Sequence, residues 1–262
     1  MLSVIRSYLP GHPWREKIQY FDVLNSTNTY AKQLAAEGAA EGTVIIAGHQ
    51  TGGRGRLGRS FSSPAGMGIY LSVILRPDCR PEELMHLTCA AGVAAADAIG
   101  RPDVGIKWTN DLVLGKRKLG GILTELSIDP ASGMVAWAVV GIGINCCQQP
   151  GDFPEDIRDM AGSLAMIAGQ DIDRAKVATA MMEALLKMSE ELISEKAAIL
   201  SRYRLSCVTL HQDVVLVRGD EKRYGHALDI DEAGALIVRF ADGATECVNS
   251  GEVSVRGMYG YV

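Results

Sequence analysis

The sequence predicts an α/β (α+β) fold in which a mixed sheet flanked by helices is followed by a small all-β barrel. Two observations lead to this prediction. Apolar stretches with strand character alternate with helical patterns over the first two thirds of the chain, whereas short strands separated by turns rich in Gly, Asp and Asn follow from Cys207. The change of pattern places a domain boundary near Leu205, so the expected domains are residues 1–205 and residues 206–262.

The first hundred residues predict three strands and two helices. The expected strands are residues 20–24, 43–47 and 69–75. A helix is expected after Ser26 or Thr27, either of which suits an N-cap, and ends before Gly38. Pro81 and the two glutamates after it favour the start of a second helix, whose apolar residues recur at helical spacing up to Gly100. The glycine-rich stretch before residue 69 is therefore a loop that joins two strands.

Four more strands and two more helices complete the first domain. The expected strands are residues 104–108, 112–114, 119–127 and 134–140, with turns at residues 115–116 and 129–133. Asp173 is placed to cap a long helix whose apolar stripe runs from Val177 to Leu192, and a shorter helix is expected at residues 197–203. The stripe indicates packing against a core.

Composition excludes several classes of protein. A chain of 262 residues that is 47% hydrophobic can bury a sizeable core. A net charge of −5 argues against broad electrostatic binding to nucleic acid. No apolar run approaches the roughly 18 residues that a bilayer requires, and the N-terminus lacks the pattern of a signal peptide. We therefore expect no membrane partner and a cytoplasmic location.

The cysteines and histidines do not suggest a metal site. The six cysteines form no CxxC pair, and none lies at metal-ligand spacing beside a histidine. Free thiols in a reducing compartment are the simpler interpretation. No residue is assigned as a metal ligand.

The glycine-rich loop carries the first chemical signal. Gly53, Gly55 and Gly58 fit a GxGxxG pattern, which alone is weak. The turn-rich continuation disfavours a dinucleotide fold, and the absence of later HRD and DFG elements disfavours a kinase. Arg54, Arg56 and Arg59 alternate with the glycines, an arrangement that suits binding of a carboxylate and a phosphate. Taken alone, the loop is explained equally well as a solvated surface segment.

Five segments, in this order and spacing, resemble biotin protein ligases. They are Ser26-Thr27-Asn28, residues 50–59, Lys107-Trp108-Thr109-Asn110-Asp111, Arg117-Lys118-Leu119-Gly120-Gly121-Ile122-Leu123 and Gly141-Ile142-Gly143-Ile144-Asn145. The match is strong over residues 21–145, and agrees beyond them mainly in pattern and in residues 251–256. The resemblance implies a catalytic domain like that of class II synthetases, followed by an SH3-like barrel, which coincides with the boundary near Leu205.

The resemblance also implies an activity. A biotin protein ligase converts biotin and ATP to biotinyl-5'-AMP and transfers the biotinyl group to a lysine of a biotin carboxyl carrier protein, such as a subunit of acetyl-CoA carboxylase. Mg2+ is expected with ATP, and homodimers occur in the family. Fewer than about 20 residues precede the first expected strand, so a DNA-binding domain and a DNA partner are not expected. A lipoate-type acyl-protein ligase and a non-catalytic biotin-binding module remain as alternatives.

Roles for individual residues follow from the same resemblance. The expected catalytic residues are Lys118, Arg54, Arg56, Lys107 and Asp111. The expected biotin-binding residues are Ser26, Thr27, Asn28, Gln50, Gly53, Arg54, Gly55, Arg56, Lys118, Gly121, Gly141 and Gly143. The expected ATP and adenylate contacts are Arg54, Arg56, Phe61, Lys107, Asn110 and Asn145.

Several of these assignments depend on context. Lys118 alone would be an ordinary hairpin lysine, and Trp108 suits the wall of a site and a core equally. Asp111 is expected to orient or deprotonate the acceptor lysine. Two positions depart from the family: Thr109 stands where proline is usual, and Phe61 where many members have tryptophan. Residues 52–59 are expected to be open without ligand and to order on binding.

Overall fold

A computed structural model describes residues 1–218, 221–249 and 252–255. Two of the turns expected after Cys207 are affected: Gly219-Asp220 lies outside the described residues, as do the last two residues of Asn249-Ser250-Gly251. Arg256, the end of the C-terminal family segment, lies outside them as well. Among the described helices, none combines the length and the apolar composition that crossing a bilayer requires.

The predicted mixed sheet is confirmed, and it has seven strands in the order β1-β2-β3-β7-β6-β5-β4. β1 and β2 are parallel, and the other neighbours are antiparallel. The strands are β1 (Ile18–Phe21), β2 (Val44–Ala47), β3 (Gly68–Leu75), β4 (Val104–Lys107), β5 (Asp111–Leu114), β6 (Arg117–Ile128) and β7 (Val135–Asn145). β1 ends at Phe21, three residues before the predicted end of that strand, and β7 ends at Asn145, five residues after its predicted end.

The extra length of β7 matters for the site. β7 pairs with β3 and with β6 along most of its length, so residues 141–144 are held as strand from both sides and Asn145 is held by β3. Its hydrogen-bonding partners on two edges outweigh the low strand propensity of Gly141 and Gly143. The two glycines therefore lie in the middle of the sheet instead of in a loop after it.

In the described part of the chain, six α-helices pack around the sheet. They are α1 (Leu2–Tyr8), α2 (Thr27–Ala36), α3 (Leu87–Ile99), α4 (Leu164–Ala168), α5 (Arg174–Glu191) and α6 (Lys196–Ser206). The helix expected from Pro81 is divided, because Pro81–Leu84 forms a 3-10 turn and α3 begins at Leu87. Glu83 closes that turn by accepting the backbone N–H of Arg80 at 2.9 Å. Asp173 caps α5, as predicted.

The helices cover both faces of the sheet, so β3 is buried along its whole length. Alternate residues of a strand point to opposite faces. Leu71 and Val73 belong to the large core that includes α3 and α5. Ile74 packs instead with Ala31 of α2. Ser72, two residues before Ile74, therefore faces the α2 side of the sheet.

The predicted C-terminal all-β part is present as a five-stranded antiparallel sheet in the order β11-β10-β9-β8-β12. Its strands are β8 (Asp213–Arg218), β9 (Glu221–Ile230), β10 (Leu236–Phe240), β11 (Thr245–Val248) and β12 (Glu252–Val255). Two hydrogen bonds from Trp108, the residue that follows β4, join this part to the larger sheet. The backbone N–H of Trp108 donates to Thr209 Oγ1 at 2.8 Å, and its indole Nε1 donates to the carbonyl of Gly234 at 3.0 Å.

Candidate active site

A cavity of about 150 Å³ opens between the glycine-rich loop, the N-terminus of α2 and strands β4 to β7 of the larger sheet. It collects segments that are far apart in sequence. The expected site residues that line it are Ser26, Thr27, Asn28, Gln50, Arg54, Gly55, Arg56, Phe61, Lys107, Asn110, Asp111, Lys118, Gly121, Gly141 and Gly143. The motifs recognised in the sequence thus meet around one space.

Glycines form the floor of the cavity on β6 and β7. A Cβ atom at Gly143 would lie 2.5 Å from Cε1 of Phe61, and one at Gly141 would overlap the side-chain amide of Asn28. Any larger residue would push these two side chains away from the sheet. A Cβ at Gly121 would be 3.6 Å from Lys118 Nζ, an ordinary contact. The glycines of β7 therefore allow Phe61 and Asn28 to lie directly on the strand.

The N-terminus of α2 presents two hydroxyl groups. The sequence left open which of them caps the helix, and the structure assigns the cap to Ser26, whose Oγ accepts from the backbone N–H of Thr29 at 3.4 Å. Thr27 instead lies against Gln50. Its backbone N–H donates to Gln50 Oε1 at 2.9 Å, and its Oγ1 is 3.2 Å from the same oxygen. Ser26 therefore caps the helix and Thr27 contacts Gln50, while both residues line the cavity.

Asn28 is held entirely by the protein. Its Nδ2 donates to the carbonyl of Leu123 and to Glu125 Oε2, each at 3.1 Å, and its Oδ1 accepts from Ser72 Oγ at 2.6 Å. The expected biotin contact of Asn28 remains a prediction. In this arrangement the residue ties α2 to β3 and β6.

The glycine-rich loop folds into a short hairpin over the cavity. Phe61 N–H donates to the carbonyl of Gly53 at 2.9 Å, and Gly55 N–H donates to that of Arg59 at 2.7 Å. Arg56 Nη1 donates to Asn110 Oδ1 at 3.0 Å, which links the hairpin to the turn after β4. Burial lowers the pKa of Arg56 from its usual value, and the charge of Asp111 opposes part of that effect. Arg56 remains a cation at any physiological pH.

Positive charge dominates the cavity. Five cationic side chains line it, against one carboxylate among its described residues. The cations are Arg54, Arg56, Arg59, Lys107 and Lys118, and the carboxylate belongs to Asp111. Lys118 Nζ lies 2.6 Å from Asp111 Oδ1. Lys107, at the end of β4, is only 8% exposed. The excess of cations suits a ligand with several negative charges.

Two expected residues do not line the cavity. Gly53 lies behind the hairpin, where a Cβ would meet the carbonyl of Phe61 and the hydroxyl of Ser63. Asn145 is buried, with its Nδ2 donating to the carbonyl of Gly162 and its Oδ1 accepting from Gln148. Their expected ligand contacts remain predictions.

Two further residues line the cavity. Arg59 was recognised as a cation of the glycine-rich loop but was given no role in the site, and Val253 of β12, which the sequence argument did not assign, brings the C-terminal sheet to the cavity. The family segment at residues 251–256 was the available signal for Val253. Trp108 lines the cavity and belongs to the core, so both interpretations of it hold. The peptide bond between Trp108 and Thr109 is cis.

No group of three or more His, Cys, Asp or Glu side chains is placed to hold a metal ion within the described part of the chain. Mg2+ prefers oxygen ligands and keeps several waters, and in ATP enzymes one or two carboxylates and the phosphates suffice to hold it. Asp111 is the carboxylate that the described cavity offers for such a role.

Comparison with known proteins agrees with this site. Residues 20–145 match the Biotin/lipoate A/B protein ligase family, and residues 209–256 match the Biotin protein ligase C terminal domain. The Bifunctional ligase/repressor BirA of Bacillus subtilis (strain 168) is 35% identical over 252 residues, which cover 92% of this chain and 75% of that protein. The Biotin--[acetyl-CoA-carboxylase] ligase of Mycobacterium tuberculosis is 32% identical, covering 93% of this chain and 90% of that protein.

A solved structure is similar over the same length. The biotin protein ligase from Aquifex aeolicus, in complex with biotin and ATP, superposes with a TM-score of 0.75 at 29% identity. The match covers 91% of this chain and 98% of that one. The similarity therefore extends over both the larger and the smaller sheet.

Proposed function

This chain belongs to the biotin protein ligases of the biotin/lipoate A/B protein ligase family, and we propose that it is a biotin-[acetyl-CoA-carboxylase] ligase. It activates biotin with ATP to biotinyl-5'-AMP and then transfers the biotinyl group to a lysine of a biotin carboxyl carrier protein. The observation that carries the proposal is the cavity that joins the polar end at Thr27 and Gln50 to the cationic end at Lys118.

The first half-reaction brings two anions together. An oxygen of the biotin carboxylate attacks the α-phosphorus of ATP, a bond forms between them, and pyrophosphate leaves. Negative charge accumulates on the phosphoryl oxygens and the leaving group, so fixed cations lower the barrier. We assign this role to Lys118, Lys107, Arg54 and Arg56, which line the same cavity.

Lys118 is the cation that we expect to face the biotin carboxylate before the first half-reaction begins. Its ammonium group already has an anionic partner in Asp111, at 2.6 Å. A biotin carboxylate that enters beside Gly121 exchanges one anionic partner for another, so the ammonium loses little electrostatic stabilisation. Lys118 then faces the reacting carboxylate, and Asp111 is left with a free oxygen.

The second half-reaction uses that free oxygen. The neutral amine of the acceptor lysine attacks the acyl carbon of the adenylate, the bond to the phosphate oxygen breaks, and AMP leaves. The amine has an unperturbed pKa of about 10.4 and must give up protons in the process. We assign Asp111 to orient this amine or accept its proton.

The hairpin at residues 53–61 closes the site. Acyl adenylates react with water, so a cover must hold water away until the carrier arrives. Arg56 bonds to Asn110 on the opposite wall, and Phe61 lies on Gly143 of the floor. We propose that biotin and ATP order this hairpin further. The test is protease protection with and without both substrates, and equal cleavage rates would contradict the proposal.

The remaining assignments are proposals of the same kind. We place the catalytic domain at residues 1–205 and the C-terminal domain at residues 206–262. Mg2+ bound to ATP would meet the cavity at Asp111 and would neutralise phosphate charge. The partner is a carrier protein of a biotin-dependent carboxylase, and the reaction takes place in the cytoplasm. A homodimer remains a prediction from the family resemblance.

The decisive experiment supplies the purified chain with MgATP, a biotin carboxyl carrier fragment and either biotin or lipoate. Intact mass spectrometry is expected to show a gain of one biotinyl group on a single lysine with biotin and no gain with lipoate. Exchange of labelled pyrophosphate into ATP is expected to depend on biotin. Exchange that depends on lipoate would favour the lipoate-type enzyme, and binding of biotin without exchange would favour a non-catalytic module.

A further inference from the structure

Ser72 is a polar residue in an otherwise apolar part of β3. It stands between Leu71 and Val73, its exposure is 0%, and it does not line the cavity. A buried hydroxyl needs hydrogen-bond partners to offset its loss of water. Ser72 has two, at the N-terminus of α2: Asn28 Oδ1 at 2.6 Å and Thr27 Oγ1 at 2.8 Å.

The direction of these hydrogen bonds follows from the outer ends of the network. Asn28 Nδ2 faces two groups that only accept, the carbonyl of Leu123 and the carboxylate of Glu125. The amide oxygen of Asn28 therefore points at Ser72 and cannot donate. A hydroxyl carries one proton. Ser72 uses that proton to donate to Asn28.

Thr27 must then donate to Ser72. If it did not, the oxygens of the two hydroxyl groups would face each other at 2.8 Å with no proton between them. The other acceptor within reach is Gln50 Oε1, at 3.2 Å. Gln50 is the more distant of the two acceptors, and its oxygen already accepts the backbone N–H of Thr27, so the proton of Thr27 lies toward Ser72, inside the protein. The side of its oxygen that faces the cavity carries only lone pairs.

The donors of the pocket lie nearby. Gln50 Nε2 donates one of its two protons to Ser63 Oγ at 2.8 Å, so it has a second proton for a ligand. Ser26 accepts from Thr29 as the helix cap, an interaction that leaves its own hydroxyl proton out of use. This end of the cavity therefore offers an acceptor at Thr27 and donors at Gln50 and Ser26.

We infer that Ser72 is a specificity-determining residue that holds the Thr27 hydroxyl as an obligate acceptor, so that the pocket selects a cyclic urea by its N–H group. The inference rests on the proposed function, because biotin has such a ring. A ligand with oxygen in place of that N–H would place its lone pairs against the lone pairs of the Thr27 hydroxyl, and the two would repel each other. Ser72 acts through Thr27 and touches no substrate.

The test compares biotin with its two carbamate analogues, in each of which one ureido N–H is replaced by oxygen. Titration calorimetry on the full chain gives the ratio of each analogue's Kd to that of biotin. In the unmodified protein, the analogue whose oxygen faces Thr27 is expected to bind at least 100-fold more weakly than biotin. In Ser72→Ala, Thr27 loses its 2.8 Å acceptor, and its proton can turn toward the ligand in competition with the more distant Gln50 Oε1, so this ratio is expected to fall at least tenfold.

Two further variants separate specificity from folding. Thr43→Val removes another buried hydroxyl, one that donates to the carbonyl of Ala40 and does not line the cavity. It is expected to leave the ratio unchanged. In a Thr27→Val background, the added Ser72→Ala change is expected to have no further effect on the ratio, because its target is gone.

The possible results are distinguishable. An unchanged ratio in Ser72→Ala, or an equal fall in Thr43→Val, overturns the inference and leaves the proposed function intact. A further fall in the double variant overturns it as well, because Ser72 would then act independently of Thr27. Failure of the unmodified chain to bind biotin at all would instead contradict the proposed function.

Discussion

The Nζ atom of Lys118 lies 2.6 Å from the Oδ1 atom of Asp111, and both side chains line the cationic end of the cavity. The two residues come from adjacent antiparallel strands, β6 and β5, whose pairing brings Lys118 opposite Val113 and Asp111 opposite Gly121. The pairing of β5 with β6 thus places a cation and a possible proton acceptor at the same point. We propose that their pairing couples the two half-reactions, because we assign one of these residues to each.

Replacing Lys118 by alanine is expected to suppress formation of the adenylate. The variant lacks the ammonium group that would face the biotin carboxylate, and loss of one such group typically reduces kcat by about 100- to 1,000-fold. Biotin-dependent pyrophosphate exchange measures the effect. Lys116→Ala is the matched control, because Lys116 is exposed in the turn between β5 and β6. Exchange within threefold of normal in Lys118→Ala would remove the proposed role.

Asp111→Asn is expected to slow transfer of the biotinyl group to the carrier. A side chain that orients or deprotonates the amine contributes about 100- to 10,000-fold. Preformed biotinyl-5'-AMP and a carrier fragment in a single turnover isolate this step. The rate should recover in part as the pH rises, because more of the acceptor amine is then neutral. Full transfer at pH 7 would show that Asp111 acts only as the partner of Lys118.

Gly143→Ala is expected to weaken binding of the nucleotide more than binding of biotin. The new Cβ would be 2.5 Å and 2.8 Å from Cε1 and Cζ of Phe61, so the ring has to leave the floor of the cavity. Phe61 is the aromatic face that we assign to the adenylate. The KM values for ATP and for biotin measure the two effects. Gly151→Ala, with no atom within 4 Å of the added Cβ, is the control. Equal changes in both KM values would argue against the assignment.

The sequence predicted the elements that depend on local pattern. Asp173 before an apolar stripe predicted α5 and its cap, and Gly38 and Gly100 predicted the ends of α2 and α3 to within two residues. The strands of the larger sheet were each identified, although β7 continued to Asn145. Local propensity underestimated β7 because its glycines are held in the sheet by neighbours on both sides.

The contacts around the site were less accessible to sequence reasoning. The motifs predicted most of the residues that line the cavity, including Ser26, Gln50 and Lys118, but they also included Gly53 and Asn145, which do not line it. They did not indicate that Asn28 would be saturated by Ser72 and by residues of β6, which are about 100 positions away in the sequence. Such contacts depend on strand order, and strand order is set by long-range packing that no local pattern records.

Thr209→Val is expected to reduce stability and turnover together. The hydroxyl of Thr209 is fully buried and accepts the backbone N–H of Trp108 at 2.8 Å. Valine has a similar shape and leaves that N–H without a partner, at a cost of about 1–3 kcal/mol. Trp108 lies in the segment between Lys107 and Asp111, which we assign to the reaction. The change should therefore lower kcat and leave the Kd of biotin almost unchanged. Denaturant unfolding and steady-state kinetics measure the two effects. Thr209→Ser, which keeps the oxygen, is the control, and normal values in Thr209→Val would contradict the prediction.

Glu125→Gln is expected to remove a contribution to stability that depends on pH. Burial favours a higher pKa for Glu125, but hydrogen bonds from Lys32 and Asn28 outweigh it and leave the pKa lowered. The carboxylate lies 2.6 Å from Lys32 Nζ. A lowered pKa in the folded state adds stability above the unfolded value of about 4.3, and this stability is lost as the pH falls through the folded value.

The difference in unfolding free energy between the unmodified chain and Glu125→Gln is therefore expected to be constant, at about 1–3 kcal/mol, from pH 6 to pH 8. It should shrink below about pH 4.3, where the unfolded carboxyl binds a proton and the folded one follows at lower pH. Urea unfolding at a series of pH values measures it. Glu37→Gln, at an exposed position at the end of α2, is the control and should show a small difference with little pH dependence. A difference for Glu125→Gln that grows as the pH falls would show that the ion pair with Lys32 does not stabilise the folded state.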